Sequence, residues 1–503
     1  MKGSGFKIVL TADRTLMADY RLLFDGMLAS SQTSSIPPFV TSNLLMPWRR
    51  MDGICALTAP LGLRRIEAAL INGGFSPDDV AIVDERHLHD AVGPNTQIVA
   101  VTSGEPTGHG MNSTTMTEIA GGKIFPQVMF AVLMSKVRRY IDRFSPNAKV
   151  VMGGPGAWQI AEDSDAMRKL GIDHVVTGYA EGNAAEIFRS ILAGDNVPTV
   201  IQGAAVSADA IPPIRGASTM GVVEISRGCG LGCSFCTIAR VPMLHLPEST
   251  IVSDVETNIA AGMTSIAVLS EDFFRYGADG VNVNPEAVIS LLTRLREIKD
   301  LRLIQIDHAN ILSISQYSDD QLQTIYNLLT GETGCKYPWV NIGIETVSGE
   351  LLKASGGAAK MGRNAPADWG EFADRQLKRL LKIGFLPMAS LVIGLPDETE
   401  DDIRQTLKWV ESMSNERITI FPVLYAPIDG GTATRVGDLT RMHWKLIKAC
   451  YKLNFKWIPK MYWDNQMAAG VPFGKALLLQ ILGNGQVLQW NALFALHGMR
   501  AKR

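Results

Sequence analysis

Three cysteines fall within eight residues of one another in the segment Ser226-Arg227-Gly228-Cys229-Gly230-Leu231-Gly232-Cys233-Ser234-Phe235-Cys236. Thiolates are the ordinary ligands of iron–sulfur clusters, and three on one short loop can hold three irons of a cube-shaped 4Fe–4S cluster. The C-x3-C-x2-C spacing leaves the fourth iron without a protein thiolate, open to a ligand from outside. The glycines let the loop wrap the cluster, and Phe235 is placed to shield it from water. Zinc is the competing reading, but zinc wants a fourth cysteine or a histidine at close spacing. The nearest histidine, His245, stands nine residues on, after Val241-Pro242. Six cysteines in 503 residues make no disulfide framework. A dense trio among them suggests a metal site in a reducing cytoplasm.

A loop of this kind needs elements to carry it. From residue 6 to about 195, short β-rich apolar runs alternate with amphipathic stretches. The expected strands are Lys7–Leu10, Val80–Val83, Ile98–Thr102, Lys149–Met152 and His174–Thr177, and the expected helices include Gly62–Ile71, Val128–Phe144 and Ala180–Leu192. Such alternation reads as an α/β, doubly wound parallel sheet, whose ligands sit at the carboxyl ends of the strands. Those ends run here into Thr102-Ser103-Gly104-Glu105-Pro106-Thr107-Gly108-His109, Gly153-Gly154-Pro155-Gly156 and Gly178 with Glu181 shortly after. They are either walls of a cofactor crevice or plain turns of an α/β domain.

A Pro- and Ala-rich stretch, 196–218, reads as a linker. Six further β/α units follow over 219–429, with strands expected at Val222–Ile225, Ser265–Leu269, Leu303–Ile306, Trp339–Ile342, Leu391–Ile393 and Ile418–Phe421. Six units suit a partial barrel rather than a closed eight-stranded one. Residues 430–503 are mostly helical in pattern and rich in Trp and Tyr, as a lid or substrate-docking piece would be. Near barrel strand ends, Asp307, His308 and Tyr425 are candidates to touch substrate. Asp307 and His308 would otherwise cap the next helix, and Tyr425 would be core with its hydroxyl satisfied. Cys335 and Cys450 read as buried apolar residues.

Bulk composition sets the remaining bounds. Net charge is -2, which offers no electrostatic reason to expect nucleic acid or an anionic membrane as partner. No run of 18 apolar residues is present and the N-terminus does not read as a signal peptide, so the expected location is cytoplasmic.

The cluster segment, with an aromatic residue just before its third cysteine, resembles that of the radical S-adenosylmethionine superfamily. Further pieces follow in order. Ser270-Glu271-Asp272 stands where that family binds the methionine amino group. Gly343-Ile344-Glu345 looks like its glycine-containing strand region near the adenosine, and Ile393-Gly394-Leu395-Pro396 with Glu398-Thr399 is similar to its "GLP-x-E-T" signature. The resemblance implies that the open iron chelates S-adenosylmethionine. An electron from an external one-electron donor then cleaves a carbon–sulfur bond to release a 5′-deoxyadenosyl radical.

An α/β domain ahead of such a barrel is similar to the cobalamin-binding domain of the family's cobalamin-dependent branch. This implies cofactor contacts from Thr102, Gly104, Glu105, Pro106, His109, Gly153, Gly154, Pro155, Gly156, Gln159, Gly178 and Glu181. The D-x-H-x-x-G motif that supplies a lower cobalt ligand in some cobalamin domains is missing. Thr11-Ala12-Asp13-Arg14-Thr15-Leu16 stands there instead, and His109 is the alternative ligand. The runs Leu61–Leu70, Gly154–Gln159 and Trp457–Trp463 resemble archaeal enzymes of this branch that C-methylate a glutamine of methyl-coenzyme M reductase. The expected reaction is then methyl transfer to an unactivated sp3 carbon of that protein or its peptide. A cobalamin-containing cyclase or rearrangement enzyme is the alternative within the branch. An iron–sulfur electron-transfer or scaffold protein is the alternative outside it. A methylthiotransferase is disfavoured because no second set of cluster cysteines precedes the barrel.

Overall fold

A computed structural model of the chain describes residues 4–427 and 431–500. The chain forms two compact units. One comprises Met1–His109, Gly121–Val223 and Leu246–Met263; the other comprises Gly110–Ala120, Glu224–His245 and Thr264–Arg503.

The core of the first unit is a six-stranded sheet, every pairing of which is parallel. Its strands are β1 (Ile8–Ala12), β2 (Val80–Ile82), β3 (Ile98–Thr102), β4 (Lys149–Gly153), β5 (His174–Thr177) and β6 (Val200–Gln202). They lie in the order β2-β1-β3-β4-β5-β6. Runs such as Ile-Val-Leu-Thr-Ala in β1 and Ile-Val-Ala-Val-Thr in β3 are buried at every position, as strands covered on both faces must be. One face packs against α3 (Phe125–Phe144) through Phe130, Leu133 and Val137, the other against α1 (Leu61–Asn72) and α4 (Ala184–Ala193) through Leu63, Leu70 and Ile187. The five expected strands are all present. The sixth, β6, lies inside the segment expected as a linker. Because the strand order reverses between β1 and β3, the carboxyl ends of those two strands form the switch point where an open α/β sheet takes its ligand.

Helix α1 ties distant segments of this unit together with charge. Arg64 donates to the carbonyls of Ala217 (3.1 Å) and Ala56 (2.7 Å). Arg65 donates to the Pro212 carbonyl and pairs with Asp254 at 2.5 Å, both side chains almost fully buried. Burial raises the Asp254 carboxyl and the Arg65 guanidinium opposes that shift.

In the second unit the barrel strands are β7 (Val222–Glu224), β8 (Ser265–Leu269), β9 (Leu303–Ile306), β10 (His308–Ala309), β11 (Trp339–Glu345), β12 (Leu386–Ile393) and β13 (Thr419–Leu424). They form sheets of order β7-β8-β9 and β10-β11-β12-β13. All six expected strands are there, with the third divided into β9 and β10 at Asp307, whose carbonyl still accepts from the Asn341 N–H (2.8 Å). The short helix α2 (Met111–Ala120) belongs to this unit although its sequence lies within the first. Its Thr115 hydroxyl accepts from the Leu424 N–H (2.8 Å) and its Glu118 pairs with Arg435 (2.7 Å). Two long helices, α5 (Arg441–Ala468) and α6 (Phe473–Arg500), close the chain. Ring contacts of Trp463 with Phe473, Tyr451 with Trp490, and Trp444 with His497 show that they run antiparallel. The boundary expected at Gly430 lies outside the described residues. Among those described, no helix is long and apolar enough to cross a membrane.

The buried Arg65–Asp254 pair sets a test of the first unit. Arg65→Met leaves a buried carboxylate without its cation and is expected to cost about 3–5 kcal/mol in denaturant unfolding. Replacing both partners with apolar residues of similar volume is expected to cost far less. Equal losses from the single and double replacements would show that the pair does not hold these segments.

Candidate functional site

The cysteine loop is built on left-handed glycines. Gly228, Gly230 and Gly232 have φ of 75°, 71° and 75°, a conformation other residues adopt only with strain. The loop is laid against the following segment. The Cys229 N–H donates to the Val241 carbonyl (3.0 Å) and the Gly232 N–H to that of Ala239 (2.9 Å). A Cβ on Gly228 would lie 2.4 Å from the Pro242 carbonyl oxygen, so the approach is as close as backbone permits. Arg275 donates to the Cys229 carbonyl at 2.8 Å. The Arg227 guanidinium is forked onto buried Glu224 at 2.8 and 2.9 Å, which fixes the start of the loop.

Cys233 and Phe235 are buried with Ala239, Leu351, Val392 and Leu395, and Cys236, Tyr425 and Met111 pack against that cluster. Phe235 thus packs in one cluster with Cys233, and Tyr425 packs against that cluster rather than in a separate core. Burial pushes the Cys229 and Cys233 thiols up. Among the described residues no three His, Cys, Asp or Glu side chains are close enough to hold a single metal ion. A cluster spreads its three thiolates over separate irons.

Around the thiols stand the residues of the other expected pieces. The Ser270 hydroxyl lies 2.6 Å from that of Ser226 and accepts from the Asp272 N–H (3.1 Å). Asp272 is fully buried, accepts from Asn310 N–H (3.2 Å) and the Ser313 hydroxyl (2.5 Å), and is pushed up to about 6 by burial. Leu269, Glu271 and His308 are exposed although they sit on or beside central strands. Protein surrounds Glu271 and His308 closely enough to shift their titration. In Glu271 that crowding raises the carboxyl. In His308 it works against the charged form, but Asp307 and Glu271 outweigh it and hold the imidazole at about 9, a cation at neutral pH. Nδ1 of His308 lies 3.0 Å from Asp307, whose other oxygen accepts from Asn341 (3.1 Å). Neither residue caps the next helix, Ile311–Ile314, whose N-cap residue is Asn310.

Glu345 adopts φ of 64° at an irregularity in the β11–β12 pairing and forms an ion pair with Lys360. A side chain held in that region without being glycine marks strain retained by its surroundings. Burial opposes the Lys360 charge, but Glu345 and the Cys233 and Cys229 thiols raise it. Lys360 was not among the expected residues, and no spacing rule would have found it. Gly394, with φ of 78°, is held by Thr434 Oγ1, which donates to its carbonyl (3.0 Å). Glu398 accepts from the Gly394 N–H (2.8 Å) and lies 3.0 Å from His443 Nε2 of α5.

In the first unit the two glycine-rich loops are zipped to each other. The Thr107 N–H and hydroxyl donate to Gln159 Oε1 (3.0 and 2.8 Å), and Gln159 Nε2 donates to Glu105 (2.8 Å). The Gly156 N–H donates to the Ser103 carbonyl (3.0 Å). A Cβ on Gly154 (φ 87°) would lie 2.0 Å from Thr102 Oγ1, and one on Gly156 would lie 2.4 Å from Pro106. Pro155 bridges these two glycines, and Gly153 ends β4. His109 is exposed, with Nδ1 at 3.1 Å from the Thr107 hydroxyl. Gly178, with φ of 78°, ends β5 against Gln202, with half-buried Glu181 three residues on. At the switch point, Asp13 caps the short helix Arg14–Met17 and accepts from the Thr15 N–H (2.9 Å) and hydroxyl. Burial pushes its carboxyl up to about 6. The Thr11 hydroxyl is buried with no hydrogen-bond partner among the described residues.

Residues 223–410 match the model of the Radical SAM superfamily. The ribosomal protein uS12 methylthiotransferase RimO of Trichlorobacter lovleyi is 26% identical over 242 residues, 46% of this chain and 50% of that protein. The RimO of Pelobacter propionicus is 28% identical over 247 residues with the same shares. The chain thus spans about half the length of the curated relatives it matches. Among solved structures, the radical S-adenosylmethionine methyltransferase TsrM of Kitasatospora setae, with tryptophan substrate and a SAM analogue bound, superposes with a TM-score of 0.53 at 16% identity. That match covers 84% of this chain and 75% of TsrM. A second TsrM structure, with cobalamin and a [4Fe-4S] cluster bound, gives a TM-score of 0.51 at 16% identity. At that identity the likeness establishes the fold. The cysteine loop and the ordered strand-end residues all lie in or beside the segment 223–410 that matches the Radical SAM superfamily, whose domains work with a 4Fe–4S cluster and S-adenosylmethionine.

Proposed function

We propose that this protein is a cobalamin-dependent radical S-adenosylmethionine methyltransferase acting on an unactivated sp3 carbon. The substrate we propose is a glutamine side chain of methyl-coenzyme M reductase or its peptide. The observation that carries the reading is the path of the chain after β3. It leaves the Thr102–His109 loop and two residues later seats Met111 against Cys236, Phe235 and Tyr425. The one chain thus carries both a cofactor loop and a cluster loop, the two sites that a reaction with two cofactors needs.

Cys229, Cys233 and Cys236 are the residues to hold the cluster, and Ser270, Glu271, Glu345 and Gly394 those to hold S-adenosylmethionine. Cobalamin would take the β1, β3 and β4 strand ends. Gly154 and Gly156 let the two loops close on each other where any side chain would strike Thr102 or Pro106, and the buried Thr11 hydroxyl has no partner among the described residues. Thr15 stands where the D-x-H-x-x-G motif carries its histidine, so this position would supply no nitrogen ligand. Bound there, the cluster and S-adenosylmethionine supply a carbon-centred radical and cobalamin supplies a methyl group. The chain's own residues orient and shield. Phe235 and Tyr425 keep water from the thiols. A carboxamide needs one donor and one acceptor, and the His308 cation and the Glu271 carboxylate offer both.

The curated relatives favour a second reading, methylthiotransfer. The remaining cysteines, Cys55, Cys335 and Cys450, are scattered along the chain, and the last two are buried. They offer no second cluster as a sulfur source.

Three measurements test these assignments. Anaerobically reconstituted protein loaded with cobalamin is expected to show both chromophores in its visible spectrum. Cys233→Ala should lose the cluster and keep cobalamin, and Gly154→Ala should do the reverse; a protein that takes up no cobalamin overturns the reading. With S-adenosylmethionine labelled in its methyl group, the product is expected to carry the label on carbon. An unlabelled product would point to a cyclase, and a methylthio product to the relatives' reaction. Lys360→Met leaves Glu345 buried without its cation, and is expected to weaken S-adenosylmethionine binding about tenfold or more while iron content stays unchanged. Wild-type affinity in that variant would remove Lys360 and Glu345 from the site.

A further inference from the structure

The overall charge of -2 conceals a division along the chain. From Arg441 to Arg503 there are ten lysines and arginines against one acid, Asp464, while the rest of the chain carries 38 against 49. Asp464 is already engaged, accepting from the backbone N–H groups of Lys336 (2.8 Å) and Tyr337 (3.1 Å). Along α5, Arg441, Lys445, Lys448, Lys452, Lys456 and Lys460 recur every three or four residues. All six are exposed, and no ion pair is found for any of them among the described residues.

Beside this basic row lies an apolar one. No charged residue occurs in α6 from Ala476 to Met499. Ala476, Leu479, Trp490 and Phe494 are its buried residues. Phe473, Leu477, Leu478, Ile481, Leu488 and Met499 are 43–76% exposed. At 3.6 residues per turn those six fall within an arc of about 140°, opposite the buried face. Asn491 and Ala495 project at the edge of that arc, and with Lys448 and Lys452 they line one shallow groove. Lys448 and Lys452 of α5 therefore border the apolar face of α6 at that groove.

We propose that this helical hairpin is a docking surface for an anionic lipid bilayer, with α6 lying in the interfacial plane. An apolar helical face bordered by lysines matches the headgroup and acyl boundary of such a bilayer. A second copy of the chain fits poorly, because it would bring its own basic row against this one without acids to offset it. A peptide fits poorly as well, since the apolar row is the convex outer side of a helix rather than a groove. No described helix is long and apolar enough to span the membrane, so α6 would lie on it.

The test is co-sedimentation of the full-length protein with vesicles of phosphatidylcholine alone and of phosphatidylcholine with phosphatidylglycerol. The protein is expected to bind the anionic vesicles and not the neutral ones, less so at high salt. Lys448→Gln with Lys452→Gln should weaken binding about tenfold. Ile481→Asn with Leu488→Asn should abolish binding. These side chains are exposed, so circular dichroism melting is expected to stay that of the wild type, and a variant pair that melts lower is replaced by Leu478→Gln with Met499→Gln. Absence of binding to anionic vesicles, or equal binding to both compositions, overturns the proposal. So does a stable dimer by sedimentation velocity that Ile481→Asn dissociates, which would assign the face to a second copy.

Discussion

A single loop must present three thiols while supplying no fourth ligand, and much of the second unit follows from that constraint. Three glycines with positive φ let eleven residues fold back on the segment 239–242, and Arg275 and the Glu224–Arg227 pair pin the loop at two points. Reactive thiols need shelter from water, so the loop is roofed by Phe235, Leu351, Val392 and Leu395. The same shelter raises the cost of every nearby charge. It explains why Lys360 is paired with Glu345 and Asp272 is surrounded by donors. The strained backbone of Glu345 is retained where the chain turns from β11 toward these groups, which is where strain in a folded protein is commonly found.

In the first unit the corresponding constraint is space. The loops after β3 and β4 approach so closely that Gly154 and Gly156 have no room for a side chain, and Gln159 joins them to Glu105 and Thr107. Strand ends at a switch point are therefore rigid without being filled. The chain then passes directly into α2, whose residues are structural members of the barrel unit.

What was legible in the sequence was what local rules govern. The cysteine loop stood out because cluster chemistry dictates close spacing, and the central strands because burial on both faces makes them uninterrupted apolar runs. The order of the pieces Ser270-Glu271, Glu345 and Gly394 was legible for the same reason, since each follows such a strand. The edge strand β6 was not, because it is exposed at Val200 and Gln202 and carries no apolar run. Lys360 reaches Glu345 only through the turn after Ala354, and Arg65 finds Asp254 across 189 residues, which no periodicity reports. The whole-chain charge averages a basic C-terminal hairpin with an acidic remainder, so the division between them is not legible in it. Asp307 and His308 looked equally like helix caps until Asn310 was seen to stand in that position.

The most direct test of the central claim is electron paramagnetic resonance of the reduced, cobalamin-loaded protein with and without S-adenosylmethionine. The expected result is a 4Fe–4S signal that changes shape when S-adenosylmethionine is added, because one iron is open. It should be accompanied by a cobalt(II) signal from the bound cobalamin. A cluster signal indifferent to S-adenosylmethionine, or the absence of any cobalt signal, would contradict the account.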